Sequence, residues 1–193
     1  MKIFKLMKRW VKMFTGKSSF HVKQDVGRLY SKNEIKGYYN DLTNKVSDAT
    51  FLDENGIPLN TTIANVEAYF PISIFQYGLG LYDFTLVSNE KKYKKILDKT
   101  IETLSKTLIK YDRGFWSDYD LKGTIASPAY HDLHIRQLKL LYDLFNINEF
   151  DAYANKWAKY QKSTLKKMHA MAIKFKQKIF KSKYYDINTS LVR

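Results

Sequence analysis

The sequence predicts an all-α protein, and three observations favour this fold class. Apolar residues recur every three or four positions, the spacing of one helix face, over residues 34–46, 72–87, 91–111, 131–145 and 149–180. No stretch alternates apolar and polar residues as a half-buried strand would. A chain of 193 residues is also long enough to bury a sizeable core as a single domain.

The first and second predicted helices are separated by a segment of turn residues. Residues 53–58 have the sequence DENGIP, whose Asn-Gly pair and proline are typical of a tight turn, and we expect residues 59–68 to be irregular. Gly78 and Gly80 lie inside the second predicted helix, so they do not form a phosphate-binding loop. We expect these small residues to let helices approach closely.

Positive charge is concentrated at the two ends of the chain, although the net charge of the whole is +14. Residues 1–23 contain seven Lys or Arg, residues 156–183 contain ten Lys, and neither segment has an acidic residue. The rest of the chain carries a slight excess of acid. The high pI therefore does not describe the central part, and we expect no nucleic-acid partner.

The N-terminal end predicts a basic amphipathic helix, with one apolar stripe of Ile3, Met7, Trp10 and Phe14. Its charges interrupt any signal-peptide or membrane-spanning stretch. We expect this helix to lie on an anionic membrane surface, to dock on the domain, or to form a basic arm. The predicted location is cytoplasmic, peripheral at the inner face of the membrane if the helix binds there.

A second basic amphipathic helix is predicted at the C-terminal end. Its apolar residues are expected to pack on the domain while the lysines face water, or else to bind a membrane or a polyanion. They are Trp157, Tyr160, Leu165, Met168, Met171, Ala172, Phe175 and Ile179. The predicted division of the chain is therefore a basic helix at 1–22, a helical domain at 23–150, and a basic helix with a tail at 151–193.

Several kinds of catalytic site are excluded or disfavoured by the residues present. The chain has no cysteine, so thiolate metal sites and disulfides are excluded. His131 and His134, with Asp132, lack a defined third metal ligand. Ser117 and Ser127 do not lie in a nucleophile elbow. We therefore predict no metal and no cofactor.

Two motifs in the second half of the chain resemble the C-terminal signature of the D-glucuronyl C5-epimerase family. The first is GFWSDYDL at residues 114–121, which is similar to the family's G-x-x-S/T-x-Y-D-L element. The second is SPAYHDLHIRQLKLLY at residues 127–142, which contains the pattern Y-H-x-x-H-I-x-Q-L. Upstream, YYNDLTNKV, DENGIPLN and YFPISIFQYGLGLYDF resemble bacterial members, so the resemblance covers roughly residues 37–183.

This resemblance implies a fold derived from a toroid of paired α-helices, and inversion of carbon 5 of D-glucuronate to give L-iduronate in a heparan sulfate or heparosan-like polysaccharide. Inversion needs an acid and a base on opposite faces of the sugar ring, and tyrosine can serve as either. The positions that match the family's catalytic tyrosines are Tyr119 and Tyr130. We expect an irregular loop to let them face each other across the sugar.

The neighbours of the two tyrosines are predicted to bind substrate. The two histidines are expected to orient a tyrosine or to bind the substrate carboxylate, Arg113, Lys122 and Arg136 are the nearest cations, and Asp120 braces the loop or hydrogen-bonds a sugar hydroxyl. The family also has a Glu-Tyr-Pro element, for which VEAYFP, with Glu67 and Tyr69, is the only candidate here.

The chain has fewer helices than a complete toroid requires. Either it completes its sugar groove by forming a homodimer, or it has lost part of the active site. The second case makes it a catalytically incomplete protein that binds a uronate-containing polysaccharide and is held near a membrane by its basic ends. A third hypothesis is a helical protein of the membrane surface with no sugar ligand.

Overall fold

The computed structural model of the chain describes residues 42–47, 49, 51–62 and 66–179, together with residues 4, 7, 8, 10–12 and 15. In the described part from residue 42 onwards, two short strands, β1 and β2, and a 3₁₀ turn at Leu108–Tyr111 accompany six helices. The strands are Asn60–Thr61 and Glu67–Ala68, and the helices are α1 Asn44–Ser47, α2 Pro71–Val87, α3 Lys91–Thr107, α4 Pro128–Phe145, α5 Asn148–Lys162 and α6 Thr164–Ile179. The predicted all-α class is confirmed, and its derivation from a toroid stays a prediction.

The second and third predicted helices agree with α2 and α3, and the first lies mostly outside the described residues. Helix α4 begins at Pro128, three residues before the predicted start, because Ser127 caps it: the Ser127 hydroxyl accepts a hydrogen bond from the backbone N–H of Tyr130 at 3.4 Å. The prediction of one helix over 149–180 is wrong, since Ser163 has an extended backbone that separates α5 from α6. Its hydroxyl accepts from the N–H of Lys166 at 3.3 Å.

The predicted turn at residues 53–58 is confirmed. One carboxylate oxygen of Asp53 accepts hydrogen bonds from the backbone N–H groups of Asn55 and Ile57, both at 2.8 Å. Gly56 takes a positive φ of 76°, a conformation that favours glycine. The expectation of irregular chain over 59–68 is wrong, because β1 and β2 pair there as a short antiparallel ladder.

Close approach at the two glycines of α2 is also confirmed. A Cβ atom added at Gly80 would lie 2.3 Å from the carbonyl oxygen of Leu42, so only glycine fits. A Cβ added at Gly78 would lie at ordinary contact distance, 3.5 Å from Ile101 of α3. These approaches seat α2 against α3 and against the chain that leads into α1.

A single hydrophobic core joins α2, α3, α4 and α5 with the loop between α3 and α4. Among its fully buried side chains are Phe75, Leu104, Trp116, Leu138 and Trp157. The loop residue Trp116 thus belongs to the core itself, and its indole N–H donates to the carbonyl oxygen of Ala126 at 3.0 Å. Burial of this large ring holds the loop against the helices.

The face of α6 that packs on the domain differs from the predicted one. In α5, Trp157 and Tyr160 are buried as expected, but the apolar stripe of α6 faces water, with Leu165, Met168 and Phe175 79%, 54% and 48% exposed. The buried residues of α6 are Ala170 and Gln177. The prediction that the apolar stripe packs on the domain is therefore wrong for α6.

The N-terminal segment contacts α6 at one described point. The ring of Trp10 meets that of Phe175 edge to face, with centroids 5.7 Å apart. Ile3 and Phe14 of the predicted stripe lie outside the described residues. No helix in the described part of the chain is long and apolar enough to span a membrane. The two predicted domain boundaries stay predictions, and the one after residue 150 falls in the first turn of α5.

Candidate active site

The two tyrosines of the sequence motifs lie in neighbouring elements. Residues 112–127, here called the tyrosine loop, lead into α4. Tyr119 is in the middle of this loop, and Tyr130 lies in the first turn of α4. The proline at 128 and the Ser127 cap fix where the helix begins, so the register of Tyr130 on α4 is set locally. Tyr119 depends on the geometry of the loop.

The tyrosine loop is ordered like a hairpin, so the expectation that it is irregular is wrong. Asp118 and Ile125 form an antiparallel bridge, and the N–H of Tyr119 donates to the carbonyl oxygen of Thr124 at 2.6 Å. At the tip, one Asp120 carboxylate oxygen accepts from the N–H groups of Lys122 and Thr124, both at 3.0 Å. Asp120 is buried and braces the turn, which is one of its two predicted roles.

The side chains of Tyr119 and Tyr130 are in contact. Their ring centroids are 4.8 Å apart with an interplanar angle of 60°, and both rings are partly buried. The ring of Tyr119 also meets Phe70 edge to face, with centroids 5.0 Å apart. Burial, and then the charge and hydrogen bond of Tyr130, raise the pKa of the Tyr119 hydroxyl above its ordinary value. Tyr119 is therefore protonated at neutral pH.

This contact differs from the expected arrangement, in which the tyrosines face each other across a sugar. A pyranose ring between two phenols needs van der Waals clearance on both of its faces, about 3.5–4 Å each. Ring centroids at 4.8 Å leave no such gap. The structure thus brings the two predicted acid/base groups together, and sugar would enter between them only after the rings separate.

A hydrogen-bonded chain through Ser117 joins the loop to α4. The Nε2–H of His131 donates to the carbonyl oxygen of Trp157 at 3.0 Å, because a carbonyl can only accept. Its Nδ1 therefore accepts from the Ser117 hydroxyl at 2.7 Å. The Ser117 oxygen in turn accepts from Nδ1–H of His134 at 3.1 Å. This chain fixes the loop two residues before Tyr119 to the helix turn that follows Tyr130.

Both histidines are interior groups with no exposed surface. Burial lowers the pKa of each to about 3, so both are neutral, and the ring of His131 stacks on Trp116 with centroids 3.9 Å apart. Direct contact with a substrate carboxylate, one of their predicted roles, is not available to either ring in this arrangement. Their other role, the orientation of a tyrosine, stays a prediction and agrees with the Ser117 chain.

Arg113 is a loop-bracing group rather than an open cation. Its guanidinium binds the carboxylate of Asp118 through Nε and the carbonyl oxygen of Gly123 through Nη2. Burial raises the pKa of Asp118 to about 6, although the Arg113 charge acts in the opposite direction. Gly123 adopts a positive φ of 81°, as the tight turn requires. Arg113 thus ties the two sides of the loop together.

The structure separates Arg136 from the tyrosine pair. Its guanidinium binds Asp132 at 2.7 Å on the exposed side of α4. Arg136 is six residues after Tyr130, which on an α-helix is about 9 Å along the axis and roughly 120° around it. A shared substrate contact would need a ligand that extends around the helix.

The VEAYFP segment lies beside the tyrosine loop, and its Phe70 contacts Tyr119, but the side chains of Glu67 and Tyr69 have other surroundings. The carbonyl oxygen of Tyr69 accepts from the N–H of Leu121 at 3.2 Å. The Tyr69 hydroxyl donates to Asp53 at 2.8 Å, and this hydrogen bond, with burial, raises its pKa to about 12. Glu67 is exposed in β2, opposite Thr61. Substrate-binding roles for Glu67 and Tyr69 stay predictions.

Lys174 and Gln177 of α6 bind the backbone of the tyrosine loop and were not predicted. The Lys174 ammonium donates to the carbonyl oxygen of Ile125 at 2.6 Å and lies 5.2 Å from the centroid of the Tyr119 ring. The amide of Gln177 donates to Gly123 at 2.7 Å and accepts from the N–H of Ile125 at 3.0 Å. In the sequence Lys174 is one of ten lysines in its segment, so no pattern distinguishes it.

The described part of the chain contains no cluster of three or more His, Asp or Glu side chains that could hold a metal ion. A cavity of about 380 Å³ lies between residues 45–61 and the N-terminal half of α2, and neither site tyrosine lines it. Its walls mix aromatic, amide, hydroxyl and lysine side chains, including Lys45, Phe51, Asn60, Gln76 and Tyr77.

Comparison with models of known protein families matches residues 73–159 to the family described as D-glucuronyl C5-epimerase C-terminus. The matched segment runs from α2 to α5 and contains the tyrosine loop, Tyr130 and both buried histidines. It ends before α6. Residues 73–159, the segment that holds the paired tyrosines, are therefore similar to the C-terminal part of D-glucuronyl C5-epimerases.

Proposed function

We propose that this protein inverts carbon 5 of D-glucuronate in a uronate-containing polysaccharide, with Tyr119 and Tyr130 as the acid/base pair. The observation that supports the proposal most strongly is the contact between these two phenols, 4.8 Å apart by ring centroid, inside the segment that matches the epimerase family. Two proton-carrying groups from separate elements meet at this point, and inversion requires two such groups.

The proton transfers balance within the pair. One phenolate takes the proton from carbon 5 and leaves the electron pair on the carbanion, which the adjacent carboxylate stabilises as an enolate. The other phenol gives its proton to carbon 5 on the opposite face. Because burial raises the pKa of Tyr119, we assign the donor role to Tyr119 and the base role to Tyr130 for conversion of glucuronate. The reverse reaction exchanges these roles.

We infer that substrate entry replaces the hydrogen bond between the tyrosines. The uronate ring occupies the position between the phenols once they have separated, and each hydroxyl then faces one side of carbon 5. Tyr119 rests on Phe70 and on a braced loop, whereas Tyr130 is at the edge of a helix. Rotation of the Tyr130 side chain is therefore the smaller rearrangement.

The test is incubation with glucuronate-containing polymers in deuterated water, followed by proton NMR of the sugar carbon-5 position. Tyr119→Phe and Tyr130→Phe should each lower epimerisation by roughly 10²–10⁴, the usual loss for a general acid or base, while helix content is unchanged. The two effects should not add, because one missing face already stops inversion. Tyr142→Phe is the matched control, about 18 Å further along the same helix. Near-normal turnover in both site variants would refute the assignment.

A second candidate function is polysaccharide binding without turnover. It is favoured by the absence of a gap between the tyrosine rings and by the separate cavity of about 380 Å³, whose aromatic, amide and lysine lining suits a sugar acid. Titration calorimetry with the same polymers separates the two. Measurable binding with no carbon-5 exchange supports this candidate, and Lys45→Met should then weaken binding.

We propose, in addition, that the basic ends bring the protein to an anionic membrane surface. The exposed residues Leu165, Met168 and Phe175 recur at helical spacing on α6, which is rich in lysine, and Trp10 joins the N-terminal segment to the same helix. Apolar side chains flanked by lysine suit the boundary of anionic lipid, while the lysines disfavour a second copy of the chain. A homodimer formed through this stripe is the alternative.

Vesicle sedimentation tests this membrane proposal. Binding to vesicles of phosphatidylglycerol and phosphatidylcholine should fall steeply as salt rises, and the double change Leu165→Ser with Met168→Ser should weaken it. Ile109→Ser is the control, since this exposed side chain lies outside both basic ends. Unchanged vesicle binding of the double variant would refute the proposal, and a dimer in analytical ultracentrifugation that this variant abolishes would support the homodimer.

A further inference from the structure

Helix α6 binds the backbone of the tyrosine loop at two residues, Ile125 and Gly123. Ile125 lies opposite Asp118 in the loop bridge, and both of its polar backbone groups are bound by α6: its carbonyl oxygen by Lys174 at 2.6 Å, and its N–H by Gln177 at 3.0 Å. The side-chain amide of Gln177 also donates a hydrogen bond to the carbonyl oxygen of Gly123 at 2.7 Å, which joins the turn of the loop to α6. Nearby, Phe115 stacks on His169 with centroids 4.5 Å apart.

The positively charged end of Lys174 lies beside the ring of Tyr119. Its ammonium is 5.2 Å from the centroid of the Tyr119 ring, within the range of a cation–π contact. The charged groups around it are Asp118 and Asp120 from the loop and Lys178 from its own helix, and Arg113 binds Asp118. Lys174 thus lies near both loop carboxylates and the Tyr119 ring.

A lysine is a costly choice for a purely structural contact here. Burying an ammonium group without full compensation costs several kcal/mol, whereas an amide would hold a carbonyl oxygen without that cost, as Gln177 does three residues later. Burial lowers the pKa of Lys174 to about 8, and the two carboxylates act in the opposite direction. The positive charge of Lys174 therefore needs a role that an uncharged amide could not fill.

We propose that Lys174 is a positioning residue for Tyr119, which makes α6 part of the active site although it follows the segment that matches the family. Its ammonium fixes the loop strand opposite Tyr119 and places positive charge beside the phenol. That charge stabilises the negative charge that develops in the site when a proton leaves carbon 5. The expected effect of Lys174 on the epimerisation rate rests on the proposed function. The expected effect of its charge on Tyr119 rests on the loop geometry alone.

The electrostatic consequence can be measured without substrate. In protein labelled with 3-fluorotyrosine, the ¹⁹F signal of Tyr119 is assigned by its loss in Tyr119→Phe. It should shift with a midpoint near pH 8 as Lys174 loses its proton. The shift should vanish in Lys174→Met and remain in Lys176→Met, the same change at an exposed neighbour. Lys174→Arg should also lack the shift, since a guanidinium stays charged over this range.

The catalytic consequence is measured by carbon-5 exchange in deuterated water. Lys174→Met should lower the exchange rate about 10²-fold, the loss expected when a reacting group is misplaced by about 1 Å, and should remove the inflection near pH 8 from the rate profile. Lys174→Arg should recover most of the rate without the inflection, and Lys176→Met should behave as the parent. Circular dichroism reports whether each variant folds, and Lys174→Arg carries the test if Lys174→Met does not.

The outcomes separate this inference from the proposed function. If the parent shows no exchange but the ¹⁹F transition is present and Lys174 variants remove it, the epimerase function fails and the positioning of Tyr119 stands. If exchange occurs and Lys174→Met keeps both the parent rate and the parent pH profile, the inference is overturned and the function stands. A ¹⁹F transition that persists in Lys174→Met and Lys174→Arg overturns the inference in either case.

Discussion

Removal of the Ser117 hydroxyl should destabilise the fold and disturb the spacing of the two tyrosines. This oxygen is fully buried and serves both histidines: it donates to His131 Nδ1 at 2.7 Å and accepts from His134 Nδ1–H at 3.1 Å. In Ser117→Ala the His134 donor is left without a partner. A change of tautomer does not help, because Nε2 of His134 also has no hydrogen-bond partner among the described residues.

The expected magnitude follows from these two contacts. An orphaned buried donor costs about 1–3 kcal/mol, and the lost hydrogen bond to His131 costs about 1 kcal/mol more. The backbone N–H of Ser117, 3.3 Å from His131 Nδ1, still offers that ring a weak donor, so the second cost is not larger. The free energy of unfolding should fall by roughly 2–4 kcal/mol, which lowers Tm by roughly 5–15 °C for a chain of this length.

Urea denaturation and thermal melts followed by circular dichroism measure this change. Ser105→Ala is the control, because its hydroxyl lies on the exposed side of α3 and its loss should alter stability by less than about 0.5 kcal/mol. The ¹⁹F signals of Tyr119 and Tyr130 should both shift in Ser117→Ala and stay in place in the control. A loss below about 1 kcal/mol, with unchanged tyrosine signals, would refute the reasoning that the Ser117 chain sets the site.

Two further predictions concern stability. Acid should destabilise the fold below about pH 6.5, because His131 and His134 have a pKa of about 3 when folded and an ordinary pKa of 6.5 when unfolded. Between these pKa values the two histidines bind two more protons in the unfolded chain than in the folded one. Asp118 opposes this by one proton, because its folded pKa of about 6 exceeds the ordinary 3.8. Urea titrations between pH 6 and 4.5 should therefore show a net fall of about 1.4 kcal/mol per pH unit, and a flat profile would contradict two neutral buried histidines. Gly80→Ala should cost about 1–3 kcal/mol by overpacking against Leu42, while Gly78→Ala should be neutral or stabilising by up to about 1 kcal/mol. Equal effects at the two glycines in urea denaturation would show that α2 is not seated as described.

The helical class, the main helices and the family could be predicted from sequence because they depend on local patterns. Apolar periodicity placed α2 and α3 closely, and DENGIP predicted its turn through the known preferences of Asn-Gly and Pro. The motifs around Tyr119 and Tyr130 indicated the family that residues 73–159 match. Local signals also explain the errors: the break at Ser163 is a single cap residue within one long periodic pattern.

Tertiary structure decided which groups meet, because a one-dimensional pattern does not tell which face of a helix is covered. On α6 the apolar stripe predicted a buried face, yet the domain covers Ala170 and Gln177 and leaves Leu165 in water. The burial of His131 and His134 likewise depends on Trp116 and Trp157, which come from two other elements.

The same reason explains why Lys174 was missed. In the sequence it is one lysine among ten in a basic segment, and each of them is equally able to face water. What distinguishes it is a position on α6 that meets the loop carbonyl of Ile125, a residue 49 positions earlier in the chain. The charge of a side chain is fixed by the sequence, whereas its cost and its use depend on the groups that folding places around it.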